Sequence, residues 1–188
     1  MGTREESMKK YYAAYIVLML SVFCIGSCLS AYQGGFSETF TIFLFIITIT
    51  EAGCLDMKSR KIPDKWNAVI LGTALLSCVT MPEPVPVSRI IGLFCVSVPF
   101  LIGALLVPGS FGGGDIKLMA AGGVFLGWKA ALASAVIGIF LGGIWAGGCL
   151  IMGEIERKAC FPLGPFLCLG MAFGVYIGNP LAEYFFNL

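Results

Sequence analysis

Residues 39–55 read TFTIFLFIITITEAGCL, and Asp56 follows them directly. Seventeen residues with one charge, Glu51, rise about 1.5 Å each and so cover roughly 26 Å, close to the ~30 Å hydrocarbon core of a bilayer. Runs of the same kind recur at Tyr11–Ala31, Trp66–Met81, Ser88–Val107, Asp115–Gly127, Lys129–Met152 and Gly164–Phe186. They predict an all-α polytopic transmembrane helix bundle of about seven spans. Composition agrees: 58% of the 188 residues are hydrophobic and 12% are charged, against about 25% charged in a soluble domain. One integral membrane domain over 1–188 is expected, with a tail and first helix in 1–38 and the core in 39–188. The first run is longer than a signal-peptide h-region, and Ala31-Tyr32-Gln33 is a poor cleavage site, so the run reads as a retained helix.

Turn chemistry separates the runs at Gln33-Gly34-Gly35, Met81-Pro82-Glu83-Pro84 and Pro108-Gly109-Ser110. Gly178-Asn179-Pro180 falls inside the seventh run and predicts a kink or an end there. With the N-terminus on the cytoplasmic side, ten lysines and arginines share that side: Arg4, Lys9, Lys10, Lys58, Arg60, Lys61, Lys65, Lys117, Arg157 and Lys158. Only Arg89 and Lys129 lie opposite. This bias orients the chain in the cytoplasmic membrane and puts Asp56 and Asp115 at the cytoplasmic boundary. A net charge of +1 gives no reason to expect nucleic acid.

There is no histidine, which removes Ser-His and Cys-His triads and histidine-ligated metals. None of the eight cysteines forms a CxxC pair, so they read as small buried hydrophobes, without a zinc site. Hydrolytic chemistry then falls to carboxylates, and ionisable groups beside hydrocarbon are functional candidates. Two aspartates can split the work of peptide hydrolysis, one taking a proton from water while the other polarises the carbonyl. Asp115 opens a helix and Asp56 ends one, so the helix dipoles favour Asp115 as base and Asp56 as acid.

Gly112-Gly113-Gly114 before Asp115 lets the backbone take unusual angles and lets a substrate strand approach closely. Taken alone, those four residues read more readily as a flexible turn with a capping aspartate. Glu51, five residues before Asp56, is offset by roughly 140° around the helix. It either tunes Asp56 from a polar cavity or pairs elsewhere. Lys117 is a candidate to hold Asp115 ionised, although i,i+2 positions face each other poorly. Arg60, Lys61 and Lys65 read first as topology determinants, and Glu154 and Glu156 as a solvated loop or a contact for a basic peptide. Gly138, Gly142, Gly143, Gly147 and Gly148 carry small-xxx-small spacings suited to helix packing.

Three segments together carry a resemblance: Asp56-x-x-x-Arg60-x-Ile62-Pro63, Gly112-x-Gly114-Asp115-x-Lys117, and Phe161-Pro162-x-Gly164-Pro165-Phe166-Leu167-x-Leu169-Gly170. In order and spacing, over about residues 40–180, the chain resembles the type IV prepilin peptidases, membrane aspartic proteases of the Gly-x-Gly-Asp type. The resemblance implies that Asp56 and Asp115 are catalytic, with no metal or cofactor. Gly112, Gly114, Lys117, Arg60, Pro63, Glu51, Pro162, Gly164 and Pro165 would support or bind substrate. It also implies cleavage of the short basic leader of a prepilin or pseudopilin at the cytoplasmic face, beside pilus or secretion machinery. Without CxxC pairs the chain looks like the compact form of that family, in which N-methyltransferase activity is not expected. Asp64 stands where the family often has asparagine. A proton-coupled transporter using the same carboxylates, or a non-catalytic scaffold, are the alternatives that the residues themselves leave open.

Overall fold

The structure is a computed structural model that describes residues 13–22, 24, 35–107, 110–151 and 162–186. Every regular element among them is helical: α1 (Ala13–Val22), α2 (Phe36–Ser59), α3 (Asp64–Thr80), α4 (Pro86–Cys95), α5 (Ser97–Leu106), α6 (Gly113–Ile151) and α7 (Gly164–Phe186). Gln33-Gly34, Pro108-Gly109, Phe161 and the loop with Glu154, Glu156, Arg157 and Lys158 lie outside the described residues. So do Arg4, Lys9 and Lys10.

α2 and α3 form an antiparallel hairpin whose far end is tied by Thr41 Oγ1 and Thr80 Oγ1, 2.9 Å apart. At the near end Arg60 takes the left-handed conformation (φ 52°) and returns its N–H to Asp56 O at 2.7 Å. That cap is usually glycine. Pro63, with φ −63°, then starts α3. Pro86–Leu106 is one apolar stretch, broken at Val96 into α4 and α5. Pro99 accounts for the break, because it has no N–H to offer Cys95 O and its ring crowds that carbonyl.

α6 is two helical limbs joined at a sharp kink. Gly127 has φ 75° and ψ 168°, a conformation closed to other residues. Before it, Gly122 packs on Met171 of α7; after it, Gly138 packs on Phe166 and Leu167, and Ala130 on Gly178. The first limb therefore runs parallel to α7 and the second antiparallel. The turn is held by Trp128 N–H donating to Ser88 Oγ at 3.3 Å. This matches the two separate spans expected over Asp115–Gly127 and Lys129–Met152. α7 runs helical to Phe186, so the end predicted at Gly178-Asn179-Pro180 does not occur.

The core is built where limbs meet. Phe45 of α2 stacks on Phe125 of α6 with ring centroids 3.9 Å apart, and Ile49, Leu118, Leu167 and Met171 are fully buried. Of the sixth-span glycines, Gly138 makes the expected close approach, but among the described residues nothing lies within 4 Å of a side chain placed on Gly143, Gly147 or Gly148. The outer surface carries Phe36, Val79, Leu105 and Ile144 exposed, the opposite of a water-soluble surface and what lipid requires. The chain is an all-α membrane helix bundle. Phe36–Ser59, Pro86–Leu106 and Gly113–Gly148 are long and apolar enough to cross a membrane, the last supplying two limbs.

Away from the α2–α3 turn, Arg89 is buried at 4% exposure. It donates to Pro84 O (2.8 Å), Ser77 O (3.2 Å), Glu83 O (3.3 Å), Val124 O (3.3 Å), Met81 O (3.5 Å) and the Ser77 hydroxyl. These acceptors lie at the C-terminal end of α3, in the loop that follows it and on α6, and the carbonyl end of a helix favours a cation. Arg89 thus locks α3, the following loop, α4 and α6 together. Arg89→Met should lower stability by about 2–4 kcal/mol, because several buried carbonyls lose their donors. Arg89→Lys should recover only part of that, as read by thermal unfolding in detergent micelles.

Candidate active site

Asp56 sits in the last turn of α2, and its side chain is 6% exposed. Its Oδ2 accepts the backbone N–H of Gly164 at 3.1 Å, across 108 positions of chain. Gly164 is the first residue of α7, so the positive end of that helix faces the carboxylate. A Cβ on Gly164 would stand 2.7 Å from the same Oδ2. Only glycine lets the helix start come this close. Pro165 follows at the second position, where it has no N–H to compete.

Asp115 is the third residue of α6 and 9% exposed. Its N–H donates to Gly112 O at 3.0 Å, and its carboxylate folds over the same turn, with Oδ2 3.1 Å from where a Cβ on Gly112 would stand. The approach to this turn is pinned from α5: Phe111 stacks on Phe100 at 4.4 Å, and Ser110 Oγ donates to Gly103 O at 3.0 Å. On the other side Gly114 meets Ile62, whose Cβ lies 3.1 Å from where a Cβ on Gly114 would stand. The Ile62-Pro63 turn therefore abuts the start of α6, and that contact draws Asp115 toward Asp56. The two carboxylates lie within electrostatic reach of one another, and both within reach of the buried Cys168 thiol.

The remaining sequence candidates divide. Gly164, Pro165, Gly112 and Gly114 belong to the shell around the pair, and Pro162 leads into it half-buried. Arg60 is exposed as the left-handed cap of α2, within electrostatic range of Asp56. Pro63 starts α3 and is exposed. Glu51 is exposed on the outside of α2, as its angular offset from Asp56 requires. Lys117 does not turn to Asp115: it pairs with Asp64 at 2.7 Å, with both side chains largely exposed. The helix-dipole contrast is also evened out, since Asp56 meets a helix start of its own, that of α7. Three buried residues were not singled out from sequence: Tyr15, within electrostatic reach of Asp56, Asn67, in the first turn of α3, and Cys168, within reach of both aspartates. A lone polar residue in an apolar run was the available signal for the first two.

A polytopic membrane bundle with two buried aspartates at helix ends defines a class of intramembrane carboxylate proteins. The profile of the type IV leader peptidase family matches residues 39–147, which include both aspartates, and the chain belongs to that family. It is 25% identical over 171 residues to the prepilin leader peptidase/N-methyltransferase of Bacillus subtilis (strain 168), covering 87% of this chain and 68% of that protein. Identity is 25% over 178 residues to the protein of the same name from Xanthomonas campestris pv. campestris, covering 89% and 60%. It is 26% over 181 residues to that of Burkholderia pseudomallei (strain 1026b), covering 89% and 56%. The chain thus spans between 56 and 68% of the length of these relatives. No solved structure is significantly similar to it.

Two substitutions separate shell from surface. Gly164→Ala should displace the Asp56 carboxylate and lower peptidase activity at least about tenfold, the effect of losing one charge-assisted hydrogen bond. Lys117→Ala breaks only an exposed ion pair, of a kind worth about 0–1 kcal/mol, and should leave activity within about threefold. Both are read by the rate of substrate cleavage at matched expression.

Proposed function

We propose that the chain is an aspartic endopeptidase that removes the short basic leader of type IV prepilin-like proteins, with Asp56 and Asp115 as the catalytic pair. One observation supports the reading: two buried aspartates from distant parts of a family-matched chain lie at helix ends within electrostatic range of one another, with Asp56 accepting the Gly164 N–H. Two carboxylates so placed share one proton. The ionised member takes a proton from water, the protonated member donates to the scissile carbonyl, and the roles reverse as the amine leaves. Because the pair titrates together, base and acid belong to the dyad and not to either residue.

Geometry supports a site at the cytoplasmic face. The end of α2 and the starts of α3, α6 and α7 converge there, and Lys58, Arg60, Lys61 and Lys65 surround the α2–α3 turn. Among the described residues nothing lies within 4 Å of a potential side chain on Gly113, which leaves room for an extended peptide. The apolar stem behind a prepilin leader would reach the site from the bilayer. A proton-coupled transporter would hold its carboxylates near mid-span, whereas both of these sit in terminal turns.

The test is cleavage of a co-expressed prepilin in membranes. Asp56→Asn and Asp115→Asn preserve shape and should each abolish cleavage, with thermal stability held to within about 1 kcal/mol. Cleavage surviving either substitution would remove that residue from the mechanism.

A further inference from the structure

A phenol from outside the matched segment points into the same seam. Tyr15, on α1, is 6% exposed, and its buried hydroxyl has no nitrogen or oxygen partner among the described residues, only the Cys168 thiol beside it. Buried hydroxyls are nearly always paired, and the exceptions concentrate where a group has work to do. Tyr15 reaches across α2 at Gly53, one helical turn before Asp56. A side chain on Gly53 would collide with the Tyr15 hydroxyl and lie 2.9 Å from its Cζ and 3.4 Å from Pro165 Cα. Gly53 is therefore the notch that admits the phenol between α2 and the first turn of α7. Its polar surroundings there are Cys168, Cys54 and Asp56.

Asp56 has one oxygen, Oδ2, bonded to the Gly164 N–H, and a carboxylate has capacity for further donors. We propose that Tyr15 is a positioning residue for Asp56, its hydroxyl reaching the carboxylate through a bridging water and fixing the orientation that activates the attacking water. The Cys168 thiol beside it is too weak a partner to account for the hydroxyl. Phenylalanine would fill the same notch with no polar atom to bury, so packing alone gives no reason for tyrosine here. The first helix then belongs to the active site and is more than an anchor.

The inference rests on the peptidase reading, and the experiment separates the two. Purified protein in lipid nanodiscs is assayed on a prepilin substrate as wild type, Tyr15→Phe, Asp56→Asn and Gly53→Ala. Tyr15→Phe should lower kcat about tenfold, with KM within about twofold and a thermal midpoint shifted by no more than about 4 °C, since the ring still fills the notch and one water-mediated hydrogen bond is lost. Gly53→Ala, which expels the phenol, should reproduce the kcat loss, with Tyr15→Phe adding little on top. Should Gly53→Ala not fold, the Tyr15→Phe result decides alone. Wild-type kcat in Tyr15→Phe, with Asp56→Asn inactive, overturns this inference and leaves the peptidase reading intact. A kcat loss that only tracks a falling thermal midpoint overturns it as well, in favour of a packing role. A wild-type protein that cleaves no prepilin overturns the peptidase reading and this inference with it.

Discussion

A carboxylate can be buried at the end of an apolar helix only if donors arrive with it, and for Asp56 that donor is the Gly164 N–H. The bond joins the end of α2 to the start of α7, and much of the bundle is arranged so that it can form. α7 must begin against Asp56, which requires a residue without a side chain at 164. It must then stay registered along α6, where Gly170 meets the Ser134 and Gly138 backbone and Gly174 meets Ser134. α6 can flank α7 with both limbs only because Gly127 turns it back. Removing any one of these glycines moves the donor away from the carboxylate.

Arg89 faces the mirror image of the same problem. It is a buried cation with no carboxylate partner among the described residues, met instead by carbonyls at the end of α3 and in the loop that follows. Asp56 meets the N–H end of one helix and Arg89 the C=O end of another. In each case a helix terminus, already short of partners, neutralises a charge that a second ion would otherwise have to follow into the bilayer. An ion pair, Lys117 with Asp64, lies outside at the surface, where such pairs add little.

Much of this architecture was legible in sequence, for a simple reason: span length and turn chemistry are local. The runs over 39–55, 66–81 and 88–107, and the division at Gly127, need only hydropathy and a glycine between apolar segments. The two aspartates stood out because charge is rare in such runs. What touches what was far less legible. In lipid the outward face of a helix is as apolar as its inward face, so period 3.6 does not separate them. That is why Gly143, Gly147 and Gly148 looked like packing positions yet meet nothing among the described residues, and why Tyr15 passed as one more residue of a retained first helix. Lys117 was weighed against Asp115 because they are neighbours in sequence, while its partner Asp64 is 53 positions away. The dipole contrast between the aspartates failed for the same reason, since the helix start beside Asp56 belongs to a distant segment.

Backbone chemistry also explains why the carboxylates occupy helix ends and not mid-span positions. Within the hydrocarbon, each main-chain N–H must be spent inside its own helix. A bundle that needs N–H donors to hold an anion can find them only in the first turns of its helices. α6 and α7 both begin where α2 ends, so the free N–H groups of their first turns lie at one level, and an anion that needs either is confined to that level. The same level is where Gly112 and Gly113 are exposed, since a first turn has not yet been covered by the side chains of a following one. Donors and access therefore come from one structural fact, the shared starting level of two helices. A site that combines buried carboxylates with an open approach follows from it at one face of the membrane.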